Sequence, residues 1–311
     1  MTIKSNREQK MAGTSYTIIG GEVKNRTPHT IPWTLLVLNR GRSVYQASQA
    51  GFAEIISIES SGRRKRDLRE TSAPGVKFLI TETAVNVGEQ INIGISAASY
   101  PFVAVIWNDM QLKTLFSPQF IREIEEGKSV CSVPMLYSHR GDLIPSIPTP
   151  AHGRRTIKTI PMTAIETGTA ALYPFDYVGI YNRKLFQLAG GYDPEINSSY
   201  WQKMDFGFRS WLWGERIQLN SSFRIYYTCD FKQDDATIDK DYRRFYLRNL
   251  AVRVRDNLAY LPKSGIFSYI FRSGEGPMVA VTEYKETSEW IDSNRTRFIQ
   301  CGRTLVESWN E

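Results

Sequence analysis

The sequence predicts an α/β fold in which a mostly parallel sheet is flanked by helices. Short apolar runs alternate with helix-period segments from residue 16 onward, which is typical of parallel strands joined by crossover helices. The runs are continuous, as expected for strands that are covered on both faces. A chain of 311 residues is long enough for one large domain with a helical appendage, or for two modest domains. Five runs are predicted strands: residues 33–38, 53–58, 76–80, 102–107 and 130–135.

Two helices are predicted between these strands. Apolar residues at i, i+4 and i+7 spacing make residues 86–98 an amphipathic helix. Ser117 and Pro118 are preferred residues at an N-cap and at the first helical position, and they predict a second helix that ends at Gly127. These signals support the alternation of strand and helix.

The second half of the chain has a different character. Residues 138–168 are rich in Pro, Gly and Thr and have no periodicity, which indicates either a functional lid or a disordered insertion. Beyond them we predict a short helix at residues 183–189, a helical stripe at residues 204–212 and a strand pair at residues 217–227. From residue 234 onward, dense Arg and Tyr in helix-period segments predict a helical extension.

We therefore divide the chain into three parts. These are a flexible N-terminus at residues 1–15, an α/β domain at residues 16–232 and a helical C-terminal extension at residues 233–311. The N-terminus is polar, and no run approaches the ~18 apolar residues of a membrane span, so we expect a soluble or peripheral protein.

Charge and cysteine usage limit the partners and the compartment. The formal net charge of +7 favours an anionic partner such as a phosphate, a nucleotide, nucleic acid or an acidic membrane surface. The three cysteines lie far apart and lack CxxC spacing, so neither a disulfide framework nor a zinc knuckle is indicated. We expect a cytoplasmic protein.

Polar side chains follow the first, second and fourth predicted strands. Asn108 and Asp109 come directly after the buried run at residues 102–107, where Asp109 could ligate a divalent cation that bridges a diphosphate. The loop at residues 39–42 and Glu59 follow the other two strands and could hold a base, ribose or phosphate. Ordinary turns with solvated arginines are the alternative. Neither GxGxxG nor a P-loop follows these strands.

Two further residues could take part in catalysis. Asp205 lies in the predicted helical stripe and could act as a general base toward a hydroxyl. Its alternatives are a helix-dipole partner and an i, i+4 pair with Arg209. Cys229 has no His near it in sequence, so a Cys/His nucleophile is not supported.

These segments, taken in order, resemble the family 2 glycosyltransferases with the GT-A nucleotide-diphospho-sugar transferase fold. The resemblance covers roughly residues 30 to 255. Residues 177–193, with a small-residue strand, an arginine, a phenylalanine and Gly-Gly-Tyr-Asp, are the closest match. Residues 242–249 resemble the arginine-asparagine helix of rhamnosyltransferase-like members. The other matching segments are residues 38–40, 56–59, 86–88 and 105–109.

The resemblance implies a GT-A type mixed, mostly parallel sheet and assigns roles to residues. Asn39, Arg40 and Glu59 would surround the base and ribose, and Asp109 would hold Mn²⁺ or Mg²⁺ on the diphosphate of a nucleotide-diphosphate sugar. For the base that deprotonates the acceptor hydroxyl we expect Asp205, the acid nearest to the position where the family carries its catalytic carboxylate. The remaining donor-binding residues would be Asn86, Gly88 and Asn108.

The chain departs from the family pattern in three places. Trp107 stands where the first acid of the DxD motif is expected, and Gln202 and Lys203 stand where many members carry Glu-Asp with the Asp as base. Near the last strand of the domain, the histidine that often completes the site is absent, and residues 228–230 are Thr-Cys-Asp.

The function predicted from the sequence is therefore a metal-assisted, inverting glycosyltransferase with a saccharide or other hydroxyl acceptor. One alternative is a non-catalytic sugar-nucleotide-binding or scaffold protein of the same fold, favoured by Gln202 and Lys203. A basic nucleic-acid-binding protein is the other alternative, although no nucleic-acid module is present and we expect no nucleic-acid partner. The Arg/Tyr-rich helices also suit a homo-oligomeric face, and residues 253–270 suit peripheral contact with an anionic bilayer.

Overall fold

The structure is a computed structural model that describes residues 8–11, 14–20, 30–40, 51–59, 75–153, 157–230 and 234–309. Strands at Glu8–Met11 and Thr14–Gly20 begin within residues 1–15, which the sequence predicted to be a flexible N-terminus, and the other strands lie in the α/β part and the extension. The strands are β1 (Glu8–Met11), β2 (Thr14–Gly20), β3 (Ile31–Leu38), β4 (Phe52–Glu59), β5 (Val76–Thr81), β6 (Phe102–Trp107), β7 (Met110–Leu112), β8 (Ser129–Tyr137), β9 (Ile147–His152), β10 (Ile157–Met162), β11 (Gly179–Asn182), β12 (Arg216–Tyr227), β13 (Arg253–Arg255) and β14 (Leu258–Tyr260).

Helices flank the sheet and make up most of the extension. A 3₁₀ turn at Phe175–Tyr177 precedes β11, and a π-helical turn at Tyr246–Leu250 follows α5. The α-helices are α1 (Val87–Ala97), α2 (Pro118–Glu126), α3 (Arg183–Leu188), α4 (Ser199–Leu212), α5 (Lys240–Phe245), α6 (Gly265–Ser273), α7 (Pro277–Asn294) and α8 (Gly302–Glu307).

The described strands form one ten-stranded sheet in the order β1-β2-β5-β4-β3-β6-β11-β8-β12-β7, and two separate hairpins, β9-β10 and β13-β14. At its centre, β3 runs parallel to β4 and to β6, and β4 runs parallel to β5. Strand β11 is antiparallel to both β6 and β8, whereas β8 and β12 are parallel. The predicted mixed, mostly parallel α/β fold is confirmed, and the carboxyl ends of β3, β4 and β6 meet at one edge.

The strongest local signals in the sequence form the predicted elements. All five predicted strands are present, and every residue of β6 is buried. Asn86 caps α1, because its side chain accepts a hydrogen bond from the backbone of Glu89. Ser117 caps α2 in the same way and precedes Pro118. Polar caps and apolar periodicity therefore determine these helix starts.

Two predictions about the second half of the chain are wrong. A disordered insertion, one of the two alternatives for residues 138–168, is wrong because the described residues contain the β9-β10 hairpin, in which Pro148 lies opposite Pro161; the functional lid stays a prediction. Proline is tolerated in this two-stranded ribbon because each of its strands is an edge strand, with one side that does not pair with another strand. Residues 217–227 form one strand, β12, and not a strand pair. A register irregularity between Asn220 and Arg224 interrupts its periodicity.

Two clusters of buried side chains stabilise the fold. The first surrounds the large sheet, and the second joins α4 to the C-terminal extension. Helix α4 contributes to both, since Phe206 packs in the first cluster and Phe208 in the second. The division at residue 232 stays a prediction. Among the described residues, no helix combines the length and apolarity needed to cross a membrane.

Candidate functional site

Three predicted site residues meet where β3, β4 and β6 end. The Asn39 amide donates to both carboxylate oxygens of Glu59, at 2.9 and 2.8 Å. Asn108 donates from Nδ2 to Asn39 Oδ1 at 3.0 Å, and its own Oδ1 accepts from the backbone N–H of Arg40 at 3.1 Å. The parallel register of the central strands therefore brings Asn39, Glu59 and Asn108 into one polar network.

Asp109 lies at the end of β6 and is buried. Its Oδ2 is 3.4 Å from Arg40 Nη1 and 3.5 Å from Cys229 Sγ. Its Oδ1 is buried and has no hydrogen-bond partner among the residues that the structure describes. Thr228 fixes the turn by donating to the Asp109 carbonyl from its N–H and its hydroxyl, at 3.0 and 2.8 Å. A buried acceptor without a partner is costly, so Oδ1 suits a ligand donor or a cation.

Arg40 connects Asp109 to a carboxylate that the sequence did not indicate. Its Nη2 contacts both carboxylate oxygens of Asp176 at 2.6 Å, and its guanidinium lies 3.8 Å over the ring of Trp107. Tyr227 also donates to Asp176, at 2.9 Å. Burial raises the pKa of Asp176, although Arg40 and Lys203 act in the opposite direction. Two carboxylates and one guanidinium thus face each other at this edge.

The backbone at Asp176 and Tyr177 is left-handed, with φ values of 50° and 64°. Residues other than glycine adopt this backbone conformation at a cost in free energy, and such strained residues cluster at functional sites. The indole Nε1 of Trp107 donates to the Asp176 carbonyl at 2.9 Å. Trp107, the departure from the DxD pattern, therefore supports both Arg40 and the turn that presents Asp176.

Asn86 and Gly88 lie at the start of α1, where they contact Gln202 of α4. The Gln202 amide donates to Asn86 Oδ1 at 2.8 Å and accepts from the Gly88 N–H at 2.9 Å. A Cβ at Gly88 would lie 2.5 Å from the side chains of Gln202 and Tyr192. Gln202 therefore joins the two helices, and glycine at position 88 allows their close approach.

Lys203, the second departure from the family pattern, is a buried cation on α4. Its Nζ donates to Asp234 at 2.6 Å and lies 5.1 Å from the centre of the Tyr177 ring. Sequence reasoning treated this residue only as a lost carboxylate. The structure shows that the lysine brings the carboxylate of Asp234 to α4.

Asp205, predicted as the base, lies elsewhere. It is fully buried in the middle of α4, where its Oδ2 accepts from Arg209 at 2.9 Å and its Oδ1 accepts from Asn249 at 2.8 Å. The i, i+4 pair with Arg209, one of the alternatives considered for this residue, is present. The dipole alternative is wrong because Asp205 is not in the first turn of the helix.

A cavity of about 750 Å³ opens beside this edge. Arg40, Trp107, Asp109 and Asp176 line it at the sheet edge, and the start of α4 and the segment that leads into α5 also contribute to the lining. The lining is rich in carboxylates, which include Asp230, Asp234, Asp235, Asp239 and Asp241. The volume suits a ligand of nucleotide-sugar size.

The cavity fits a cation that is shared with a ligand. Within the described ranges, no three His, Cys, Asp or Glu side chains converge into a metal cage. A hard divalent cation that bridges a diphosphate needs only one or two protein carboxylates. Asp109 can supply one ligand through its unpartnered Oδ1.

Solved structures with the same architecture exist. The structure is similar to that of GalNAc-T7 crystallised with UDP, GalNAc and Mn²⁺, with a TM-score of 0.61 and 14% identity over 88% of this chain and 56% of that chain. The chain has the GT-A fold. It spans about half the length of that protein.

Staphylococcus aureus TarS 1–349 in complex with UDP-GlcNAc is a further match, with a TM-score of 0.48 and 13% identity over 82% of this chain and 71% of that chain. No protein-family model matches the chain, and no characterised protein matches it in sequence. The predicted GT-A architecture is confirmed at the level of the fold.

Proposed function

We propose that this chain is a family 2-like glycosyltransferase that moves a sugar from a nucleotide-diphosphate donor to a hydroxyl acceptor with inversion. One observation carries the proposal: the buried Oδ1 of Asp109, which has no hydrogen-bond partner among the described residues, lies beside the polar network of Asn39, Glu59 and Asn108. The carboxylate and the network lie at the edge of the sheet where open α/β folds bind ligands. The GT-A fold supports this interpretation, because the similar GalNAc-T7 structure holds UDP and Mn²⁺.

Donor binding follows from the chemistry of the edge. Glu59 would accept from the base or the ribose hydroxyls, and Asn39, which donates to both oxygens of its carboxylate, would orient it. Arg40 and Asp109 would lie at the diphosphate, with Asn86 and Gly88 behind the donor at the start of α1. Mn²⁺ or Mg²⁺ held by Asp109 would supply Lewis-acid stabilisation of the departing nucleoside diphosphate.

Asp234 is the base that we propose for the acceptor hydroxyl. A base must come within hydrogen-bond distance of the proton that it removes, and Asp234 lines the cavity whereas Asp205 does not. Asp234 accepts a hydrogen bond from Lys203, and Lys203 is the residue that stands where the resemblance puts the catalytic carboxylate. The hydroxyl proton would pass to Asp234, the acceptor oxygen would bond to the anomeric carbon, and the diphosphate would leave with the electron pair of the broken bond.

The proposal is tested by the release of nucleoside diphosphate from UDP-, GDP-, CDP-, dTDP- and ADP-sugars, with and without Mn²⁺. We expect turnover of one donor class by the wild type. We expect a loss of about 10²- to 10⁴-fold in Asp234→Asn, with nucleotide binding retained. Asp292→Asn, an exposed change on α7, is the matched control. Nucleotide binding without turnover of any donor would favour the non-catalytic alternative. Unchanged turnover in Asp234→Asn would refute the assignment of the base.

We also propose that the protein is cytoplasmic. Cys131, Cys229 and Cys301 are free thiols in the structure, which agrees with a reducing cytoplasm. A homo-oligomer stays a prediction from the sequence.

A further inference from the structure

Large apolar side chains are exposed on α6 and at the start of α7. Phe267, Phe271 and Met278 are 68%, 88% and 85% exposed. Phe267 and Phe271 are one helical turn apart, so they project from the same side of α6. Tyr269, on a different side of this helix, is buried against Tyr284 of α7, with ring centroids 5.8 Å apart. Exposed aromatic residues on a helix that is anchored in this way indicate an interaction surface.

Three cations belong to the same part of the extension. Lys263 precedes α6, Arg272 lies in its last turn, and Arg253 lies on β13. None of the three has a carboxylate partner within the part of the chain that the structure describes. Glu275, in the link between α6 and α7, bonds to Arg243 at 2.9 Å, and Arg243 also contacts Glu283 at 3.3 Å, so these two acids share one guanidinium of the protein. The surface therefore presents positive charge together with apolar groups.

A second cavity, of about 670 Å³, lies next to this surface in the extension. Exposed residues of its lining include Arg253, Arg272 and Ser268, and its inner wall is aromatic. Asp256, on the turn after β13, contacts Arg255 at 3.5 Å, and Glu283 of α7 accepts from the Tyr269 hydroxyl at 2.5 Å. Guanidinium groups bind phosphate oxygens through paired hydrogen bonds, so the cavity suits a phosphate group. The aromatic residues of the wall are Tyr242, Tyr246, Tyr269 and Tyr284.

We propose that the extension docks on an anionic lipid bilayer through this surface. Phe267, Phe271 and Met278 enter the headgroup region, and a lipid phosphate binds at Arg253 and Arg272. Interfacial binding of this kind combines buried apolar side chains with cations that attract acidic lipids. The net charge of +7 acts in the same direction.

The segment at residues 237–242 lines both cavities. Thr237 and Lys240 line the cavity beside Asp109, whereas Ile238 and Tyr242 line the cavity in the extension. A bilayer docked at the extension would therefore lie close to the proposed donor site. If the proposed function holds, this arrangement suits an acceptor whose hydroxyl is presented at a membrane surface.

Vesicle flotation tests the proposal with vesicles of phosphatidylcholine alone or with about one third phosphatidylglycerol. We expect the wild type to float with the anionic vesicles, less so as salt is raised, and not with the neutral ones. The double variant Phe267→Ser and Phe271→Ser should bind about tenfold more weakly or not at all. Arg253→Gln and Arg272→Gln should each weaken binding by about fivefold.

Two exposed apolar residues elsewhere provide the matched control. Leu115 and Ile299 are 83% and 65% exposed, and the double variant Leu115→Ser and Ile299→Ser should float as the wild type does. Equal flotation of both double variants, or no flotation of the wild type, would overturn the proposal. So would a concentration-dependent dimer that only the Phe267 and Phe271 changes abolish, because the surface would then bind a second copy. Nucleotide binding, measured on the same variants, reports separately on the donor site.

Discussion

Asp193 connects the Gly-Gly-Tyr-Asp turn to the C-terminal extension, and its removal should strongly destabilise the protein. Its carboxylate is buried and accepts from Arg244 and Arg248, both at 2.6 Å. Asp193→Asn keeps the size of the side chain and leaves the largely buried guanidinium of Arg248 without its anion, whereas Arg244 retains Glu195 at 2.8 Å. Arg248 also lies 4.5 Å from the Trp290 ring on α7, so the pair extends into the second core.

The magnitude follows from the burial of the three groups. Breaking a buried ion pair on one side costs about 3–5 kcal/mol. Both arginines keep some contact with water, which lowers the expected loss in the free energy of unfolding to about 2–3 kcal/mol. A loss of this size is a large fraction of a total stability of about 5–15 kcal/mol.

Urea titrations followed by tryptophan fluorescence measure this loss, with Asp292→Asn as the exposed control. The double variant Asp193→Asn and Arg248→Gln should lose less stability than the sum of the two single variants, because the second change removes the stranded cation. A loss below about 0.5 kcal/mol for Asp193→Asn, or strict additivity in the double variant, would refute the reasoning.

Two further predictions concern packing and pH. Gly88→Ala should destabilise by about 1–3 kcal/mol, because the new Cβ would lie 2.5 Å from the Cβ of Tyr192 and from the Gln202 amide. Gly276→Ala, where nothing lies within 4 Å, should be nearly neutral, and thermal melts compare the two. Burial acts to raise the pKa of Glu54, but hydrogen bonds from Lys77 and its other partners hold it below the ordinary value of 4.5. The stability that Glu54 contributes is therefore present above about pH 4.5 and is lost as the pH falls through its lowered pKa. Urea midpoints between about pH 3 and 6 should show this loss in the wild type and a smaller loss in Glu54→Gln; an equal loss in both would contradict it.

Much of the fold could be predicted because its signals are local. The strand at Phe102–Trp107 is apolar throughout, and Asn86 and Ser117 cap helices in their preferred way. The hairpin of β9 and β10 could not be predicted, because its prolines conceal the alternation of a strand. The register irregularity of β12 interrupted another periodic signal.

The site was predictable only where strand ends determine it. Asn39, Glu59 and Asn108 follow strands that lie side by side, so the sequence was enough to bring them together. Asp176, which bonds to Arg40, lies in a left-handed backbone conformation at a position where the sequence has no glycine to indicate it. Asp234 bonds to Lys203 although the two residues are 31 positions apart in the chain. Contacts of this kind depend on the tertiary fold and not on local pattern.

The structure describes only part of the basic loop at residues 39–42, because Gly41 and Arg42 lie outside the described residues. Arg40 itself is described, and it contacts Asp109 and Asp176 at the edge of the sheet. The alternative of a solvated arginine therefore does not hold for this residue.

Calorimetric titration of UDP, GDP, CDP, dTDP and ADP into the wild type and Asp109→Asn, with and without Mn²⁺, tests the central claim most directly. We expect one nucleotide to bind the wild type, more tightly with Mn²⁺, and the metal-dependent gain to disappear in Asp109→Asn. Binding of no nucleotide, or a metal-dependent gain that survives in Asp109→Asn, would contradict the assignment of Asp109 to the diphosphate.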